Sequence, residues 1–199
     1  MKFLGTKKLE TDRLILRKIN NEDYKDAYVT WCNDEDIVKY TVHGVHKNID
    51  VTKRVYERWI QEYEDEKTFR WIIELKENHK VIGTIDVSSP WIKYGTLEPG
   101  YVIGKEYWGK GYATEATKEV IRFLFEECDA DTIYSEHMEN NIGSGRVMQK
   151  SGLVFEARLK SRVVDREGNR QDLLSYVLIK YGSHTTPFKY SIAFFLFLF

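Results

Sequence analysis

The sequence predicts one α+β domain containing a single parallel crossover. Two observations carry that prediction. Strand-like and helix-like segments follow in the order strand, two helices, three strands, helix, strand, helix, two strands, seven strands in all. A glycine pair, Gly109 and Gly111, then joins an apolar run directly to a helical pattern, as at the turn of a crossover. At 199 residues the chain is long enough for one substantial core.

Leu14 and Leu16 alternate in a first strand over 13–18. Asn21 is expected to cap a helix to residue 31, with Tyr24, Ala27, Tyr28 and Trp31 at helical spacing. Asn48 or Asp50 opens a second helix to residue 63, on which Val51, Val55, Trp59 and Ile60 share a face. Strands follow over 69–75 and 80–87 around a turn at 77–79, and a fourth runs from Thr96 to Ile103. Ala116, Val120, Phe123 and Leu124 form the buried stripe of a helix over 113–127. A fifth strand, Thr132 to Met138, leads to Asn141 and a short helix that Gly152 ends as a C-cap. A hairpin over 153–164 and 173–180 closes the domain, which is expected to occupy 1–182.

Composition excludes several functions. With 30 basic and 31 acidic residues the net charge is −1, so no broad attraction to nucleic acid or membrane is expected. Basic residues cluster only locally, at Lys105, Lys110, Lys118 and Arg122. Cys32 and Cys128 make no disulfide framework and read as small buried residues in a reducing cytoplasm. No signal peptide is expected at the start. His43 and His46 have the spacing of half a zinc site, but no further ligand cluster accompanies them, so no metal is expected. Residues 183–199 stand apart: a linker, then an apolar octet from Ile192 to Phe199. The octet is too short to span a bilayer, which takes about 20 residues. It is expected to pack on its own domain or on a second subunit, and is given no catalytic role.

The most informative stretch is Trp108-Gly109-Lys110-Gly111-Tyr112-Ala113-Thr114-Glu115-Ala116. Two glycines let the backbone approach a bulky anion, and the following helix adds its unsatisfied N–H groups and positive dipole end. The product is a diphosphate cradle. A P-loop is excluded because Lys110 lies between the glycines and no hydroxyl residue follows a Gly-Lys pair. A dinucleotide fingerprint is excluded because the third glycine is missing and the segment falls mid-chain.

This stretch resembles the turn of the GNAT acetyltransferases, (Gln/Arg)-x-x-Gly-x-(Gly/Ala), with Trp108 at the first position. That substitution is similar to the branch of ribosomal-protein N-terminal acetyltransferases. Asn141-Ile142-Gly143-Ser144 with Lys150-Ser151-Gly152-Leu153 resembles the family's second motif, and residues 9–17 resemble the branch's first strand. The resemblance covers roughly 9–181. It implies a three-layer α-β-α fold on a mostly antiparallel seven-stranded sheet, whose fourth and fifth strands form a parallel, splayed pair. It also implies acetyl-CoA as co-substrate and a primary amine as acceptor.

Under that resemblance the amide-rich pantetheine arm lies along Tyr101, Val102 and Ile103, satisfying backbone groups that the splay leaves free. The diphosphate sits over the amides of Gly109, Lys110, Gly111, Tyr112, Ala113 and Thr114, with the Lys110 side chain turned mostly to solvent. Asn141 is expected to contact the coenzyme across the gap, or else to cap the next helix. Lys150 suits the helix C-terminus or the adenosine phosphate. Glu98 is the first choice for general base, with Asp86 and Glu74 as alternatives. The N–H of Val102 or Ile103 is the candidate oxyanion donor. Many relatives protonate the leaving thiolate with a Tyr seven residues after the motif Asn; here Met148 stands there and cannot, and Ser144 resembles the hydroxyl of the ribosomal-protein branch. Tyr107 and Trp108 are expected to pack, and Tyr176 to line the acceptor pocket. The acceptor stays open among a protein N-terminus, a polyamine, an amino sugar and an antibiotic, a negative groove favouring polyamines or basic peptides. A non-catalytic acyl-CoA-binding module is the rival of a different class.

Overall fold

Residues 1–41, 44–88 and 92–180 are described by the computed structural model; His43 and the apolar tail lie outside the described residues. In chain order the elements are β1 (Leu9–Glu10), β2 (Leu14–Arg17), α1 (Asp23–Ala27), α2 (Glu35–Val38), α3 (Ile49–Gln61), β3 (Phe69–Leu75), β4 (Val81–Ser88), β5 (Thr96–Ile103), α4 (Tyr112–Glu126), β6 (Thr132–Met138), α5 (Ile142–Lys150), β7 (Val154–Val164) and β8 (Arg170–Ile179).

The strands form one sheet in the order β1-β2-β3-β4-β5-β6-β8-β7. Every neighbouring pair is antiparallel except β5 and β6, which are parallel and joined through α4. The sheet has eight strands where seven were expected. Thr11 turns the chain, its amide donating to the Leu14 carbonyl (3.0 Å) and its hydroxyl accepting from the Leu14 amide (3.0 Å). Leu9 and Glu10 thereby fold back onto Leu16 and Ile15 as a short edge strand.

Two apolar layers cover the sheet. On one face α4 buries Ala116, Val120, Phe123 and Leu124, the predicted stripe, together with Thr117, Ile121 and Phe125. These pack on Trp71, Ile85, Leu97, Ile103 and Ile133, and Met148 of α5 joins the same layer. Full burial of a Phe or Leu contributes about 1.5–3 kcal/mol each, so this face is the main source of stability. On the other face Ala27 and Trp31, with Tyr56 of α3, cover Ile72 and Val81.

Local chemistry places the helix ends. Asn48 rather than Asp50 caps α3, its side chain accepting from the Val51 amide. Asn21 does not cap the first helix; Asn20 Oδ1 accepts from the amides of Glu22 (2.9 Å) and Asp23 (3.1 Å) instead. That helix is also shorter than its pattern suggested, since Tyr28–Cys32 widen into a π-helical turn. Thr30 in this turn lies against Gly104, where an added Cβ would fall 2.3 Å from Thr30 Cγ2. The first helical layer is thus seated directly beside the end of β5.

Candidate active site

β5 and β6 pair only at their starts, Thr96 with Thr132 and Leu97 with Ile133. Beyond those residues they diverge, held at the fork by Ser135 Oγ, which donates to the Pro99 carbonyl (3.2 Å). The divergence opens a cleft of about 1060 Å³ walled by Glu98 to Ile103 on one side and Ser135 to Met138 on the other. It continues to Gly109, Gly111 and the first turn of α4, and is flanked by Asn141, Ser144 and Lys150. The splayed pair is therefore present at the two strands expected to form it.

Backbone direction alternates along a strand, which decides which amides face the opening. Gly104 donates to the Ile82 carbonyl on β4 (2.9 Å), so Val102, two residues earlier, is also turned to β4. Tyr101 and Ile103 are turned to the cleft, and the Ile103 carbonyl accepts from the Trp108 indole (2.7 Å). Of the two amides expected as oxyanion donors, Ile103 faces the opening and Val102 does not; the Val102 side chain packs on the α3 layer.

At the head of α4 both glycines hold left-handed backbone, Gly109 at φ 74° and Gly111 at φ 84°. Gly111 is the N-cap position and offers no side-chain acceptor, so the first-turn amides stay open. A Cβ added to Gly109 would meet nothing within 4 Å, which leaves room beside these amides. The cradle is clamped from the turn between β1 and β2, a device that sequence reasoning missed. Arg13 donates to the Lys110 carbonyl (3.0 Å), pairs with Glu115 through Nε and NH2 (2.7 and 2.6 Å), and lies 4.5 Å from the centre of the Tyr112 ring. Thr11 adds a hydroxyl bond to Glu115 (2.6 Å). Burial pushes the Glu115 carboxyl up, but the bonds from Thr11 and Arg13 outweigh it and hold the group below its ordinary range. The signal was present in the Thr-Asp-Arg of the first strand and the acidic residue of the glycine string. Lys110 is not among the residues that wall the cleft, and its ammonium lies 5.5 Å from the Tyr107 ring centre. Tyr107 is buried against Tyr112.

Side-chain alternation separates the cleft into two sides. Leu97 and Ile103 belong to the α4 layer, so Glu98 projects to the opposite face, as does Glu136 on β6. Burial raises the Glu98 carboxyl above its ordinary value. A Tyr134 hydrogen bond opposes the shift, and the charges of Glu136 and Asp86 add to it. Among the described residues, neither Glu98 nor Glu136 has a basic partner within ion-pair distance. Asp86 lies opposite Gly100 on β4, 3.7 Å from Arg70. Glu74 is held elsewhere, paired with Arg17 (2.6 Å) and His79 (2.7 Å), and does not reach the cleft.

On the α4 side, Tyr101 and Ser144 both line the opening. Burial pushes the Tyr101 phenol up to about 12, and the nearby Ser144 hydroxyl offsets only part of that. Asn141 caps α5, its Oδ1 accepting from the Ser144 amide (3.3 Å), while still lining the cleft. Gly152, at φ 95°, ends the helix, with Leu153 donating to the Met148 carbonyl (3.1 Å). Tyr176 turns toward α5, accepting from Gln149 (3.2 Å), and lies outside the cleft wall.

Residues 13–154 match the model of the acetyltransferase (GNAT) domain. The uncharacterized N-acetyltransferase YoaA of Bacillus subtilis is 28% identical over 172 residues, 86% of this chain and 96% of that protein. Among solved structures, a ribosomal-protein alanine acetyltransferase of Vibrio fischeri superposes with a TM-score of 0.76 at 19% identity, covering 90% of this chain and all (100%) of that one. The microcin self-immunity acetyltransferase MccE, solved with acetyl-CoA and AMP, gives 0.75 at 18% identity over 85% of this chain and 94% of that one. The fold and the splayed cleft define an acyl-transfer enzyme. The chain belongs to the GNAT acetyltransferase family. No helix among the described residues is long and apolar enough to cross a membrane.

Proposed function

We propose that this enzyme moves the acetyl group of acetyl-CoA to a protein N-terminal α-amino group by direct attack in a ternary complex. The observation that carries the reading is the parallel pair β5–β6, which separates after two residue pairs and opens the sheet to both faces beside a glycine cradle. The open amides from Gly109 to Thr114 fit a diphosphate, and the cleft-facing backbone of Tyr101 and Ile103 fits an amide-rich arm. Asn141 and Lys150 border the same path.

Acetyl-CoA supplies an activated thioester that a neutral amine attacks without a covalent enzyme intermediate. Glu98 takes the amine's proton, and its raised affinity for protons makes it a stronger base than an ordinary carboxylate. The Ile103 N–H is the donor available to the developing oxyanion. Ser144, which lines the cleft, can return a proton to the departing sulfur. An α-amine, with a pKa of about 7.7–8.0, is partly neutral at pH 7, which favours it over a lysine at about 10.4.

A second reading, a small polycationic amine such as a polyamine, is favoured by one observation. Glu98 and Glu136 face the acceptor side without a basic partner, and an ammonium relieves their repulsion. Release of free thiol from acetyl-CoA, measured against peptides beginning with Ala or Ser, spermidine and aminoglycosides, separates the two readings. Turnover with the peptides is the expected result; turnover with spermidine alone selects the second reading, and none with any amine overturns both. A thiolate leaves tolerably without help, so Ser144→Ala is expected to lower kcat by no more than about tenfold. A loss of about a thousandfold in steady-state turnover would make the hydroxyl indispensable and contradict this assignment.

A further inference from the structure

We infer that Arg146 binds the phosphate on the coenzyme's ribose, and so makes the enzyme prefer CoA to dephospho-CoA. The inference deepens the acetyl-CoA reading above and rests on it. Arg146 lies on α5 and lines the cleft, exposed rather than folded into the core. Met148 seats α5 in the same apolar layer as α4, so α5 stands on the side of the sheet that carries the cradle.

Charge singles the residue out. Among the described residues, the Lys and Arg side chains that wall the cleft are Lys39, Arg146 and Lys150. Lys39 lies 3.9 Å from Asp36. Among the same residues, Arg146 and Lys150 have no carboxylate within ion-pair distance. The cleft's carboxylates lie elsewhere: Glu98 and Glu136 project to the opposite face, and Asp36 pairs with Lys105 at 2.7 Å. Lys150 closes the last turn of α5, where the helix dipole itself favours a cation. Arg146 stands mid-helix, where the dipole gives it no such support. The two cations are four residues apart on one helix face, where like charges repel and a shared anion relieves them.

The surroundings fit a phosphorylated nucleoside. One turn before Arg146, Ile142 is 63% exposed and lines the same cleft. Beside it Gly143 adds no side chain, and a Cβ there would meet only Asn141 Oδ1, at 3.8 Å. An apolar side chain next to bare backbone leaves a seat for a purine, with a guanidinium one turn further on. In the reading above the cradle amides take the diphosphate, so the charge left for Arg146 is the phosphate on the ribose. A guanidinium presents two parallel N–H donors to such a group.

Calorimetric titration of the full chain with CoA and with dephospho-CoA, which lacks that phosphate, tests the inference. The parent is expected to bind CoA about tenfold more tightly than dephospho-CoA, the value of one charge-assisted contact. Arg146→Gln is expected to weaken CoA by about tenfold and to leave dephospho-CoA within about twofold of the parent, so that the preference disappears. Arg146→Lys keeps the charge and loses the fork, and is expected to weaken CoA by only about threefold. The contact is exposed, so the parent's preference is expected to shrink as salt is raised. A parent that binds both ligands alike overturns the inference. Equal weakening of both by Arg146→Gln also overturns it, because the residue then serves the diphosphate or the fold. A preference that survives Arg146→Gln and disappears in Lys150→Gln overturns it too. Failure of the parent to bind either ligand sinks the underlying functional reading instead.

Discussion

Replacing Glu98 by Gln is expected to lower kcat by about 10²–10⁴-fold while leaving CoA affinity unchanged, the range for loss of a positioned general base. The substitution keeps shape and removes only the capacity to take a proton. Glu98 stands on β5 facing the acceptor side, whereas the cradle and Ser144 serve the opposite face, so the two halves separate experimentally. The pH profile adds a second readout. Burial first, then the charges of Glu136 and Asp86, hold the carboxyl above its ordinary range. Activity in the parent is therefore expected to fall with acid at a higher pH than an ordinary carboxylate gives, and that limb disappears in Glu98→Gln.

The same shift has a sign for stability. A carboxyl that binds its proton more tightly folded than unfolded favours the folded state at low pH. That contribution is lost as pH rises from the unfolded value through the raised folded one. Above that window the charged group costs stability, so Glu98→Gln is expected to unfold at an equal or higher temperature at pH 7 while losing turnover. Retention of kcat within about threefold, under conditions where chemistry limits the rate, removes Glu98 as the base.

The glycine turn and the parallel strand pair were largely legible in the sequence because they are made of backbone. A left-handed turn can be read from two glycines, an open helix start from the absence of a capping side chain, and a buried stripe from helical spacing. The β4–β5–α4–β6 unit accordingly lies where its pattern puts it. What escaped reading depends on distant partners. Arg13 and Glu115 are 102 positions apart, and although each stands in a recognisable string, neither string says that it meets the other. The Val102–Ile103 choice depends on which neighbour each amide faces, which only the β4 register decides. Asn20 displaced Asn21 as the cap because both side chains have the chemistry and only the chain's entry angle selects between them. The β1 edge strand was missed since two residues carry no period.

Gly109→Val carries the other large expected effect, a loss of CoA affinity of roughly a hundredfold. It corresponds to about 2–3 kcal/mol, the value of one or two charge-assisted bonds between amides and phosphate. At Gly109 a Cβ meets no protein atom within 4 Å, so the side chain enters the space left for the anion instead of colliding with the fold. At Gly111 the corresponding Cβ approaches Arg13 NH2 at 3.4 Å, on the clamp side. Both positions hold positive φ, and a non-glycine residue there costs about 1–2 kcal/mol of backbone strain. Gly111→Val therefore serves as the matched control: it carries the strain and disturbs the Arg13–Glu115 clamp without filling the same space. Calorimetric titration with CoA, beside thermal unfolding of each ligand-free variant, separates the contributions. Comparable losses of unfolding temperature, with the larger loss of affinity at Gly109, are expected. If Gly109→Val binds CoA like the parent, the diphosphate does not sit over these amides, and the route from the cradle into the splayed strands has to be abandoned.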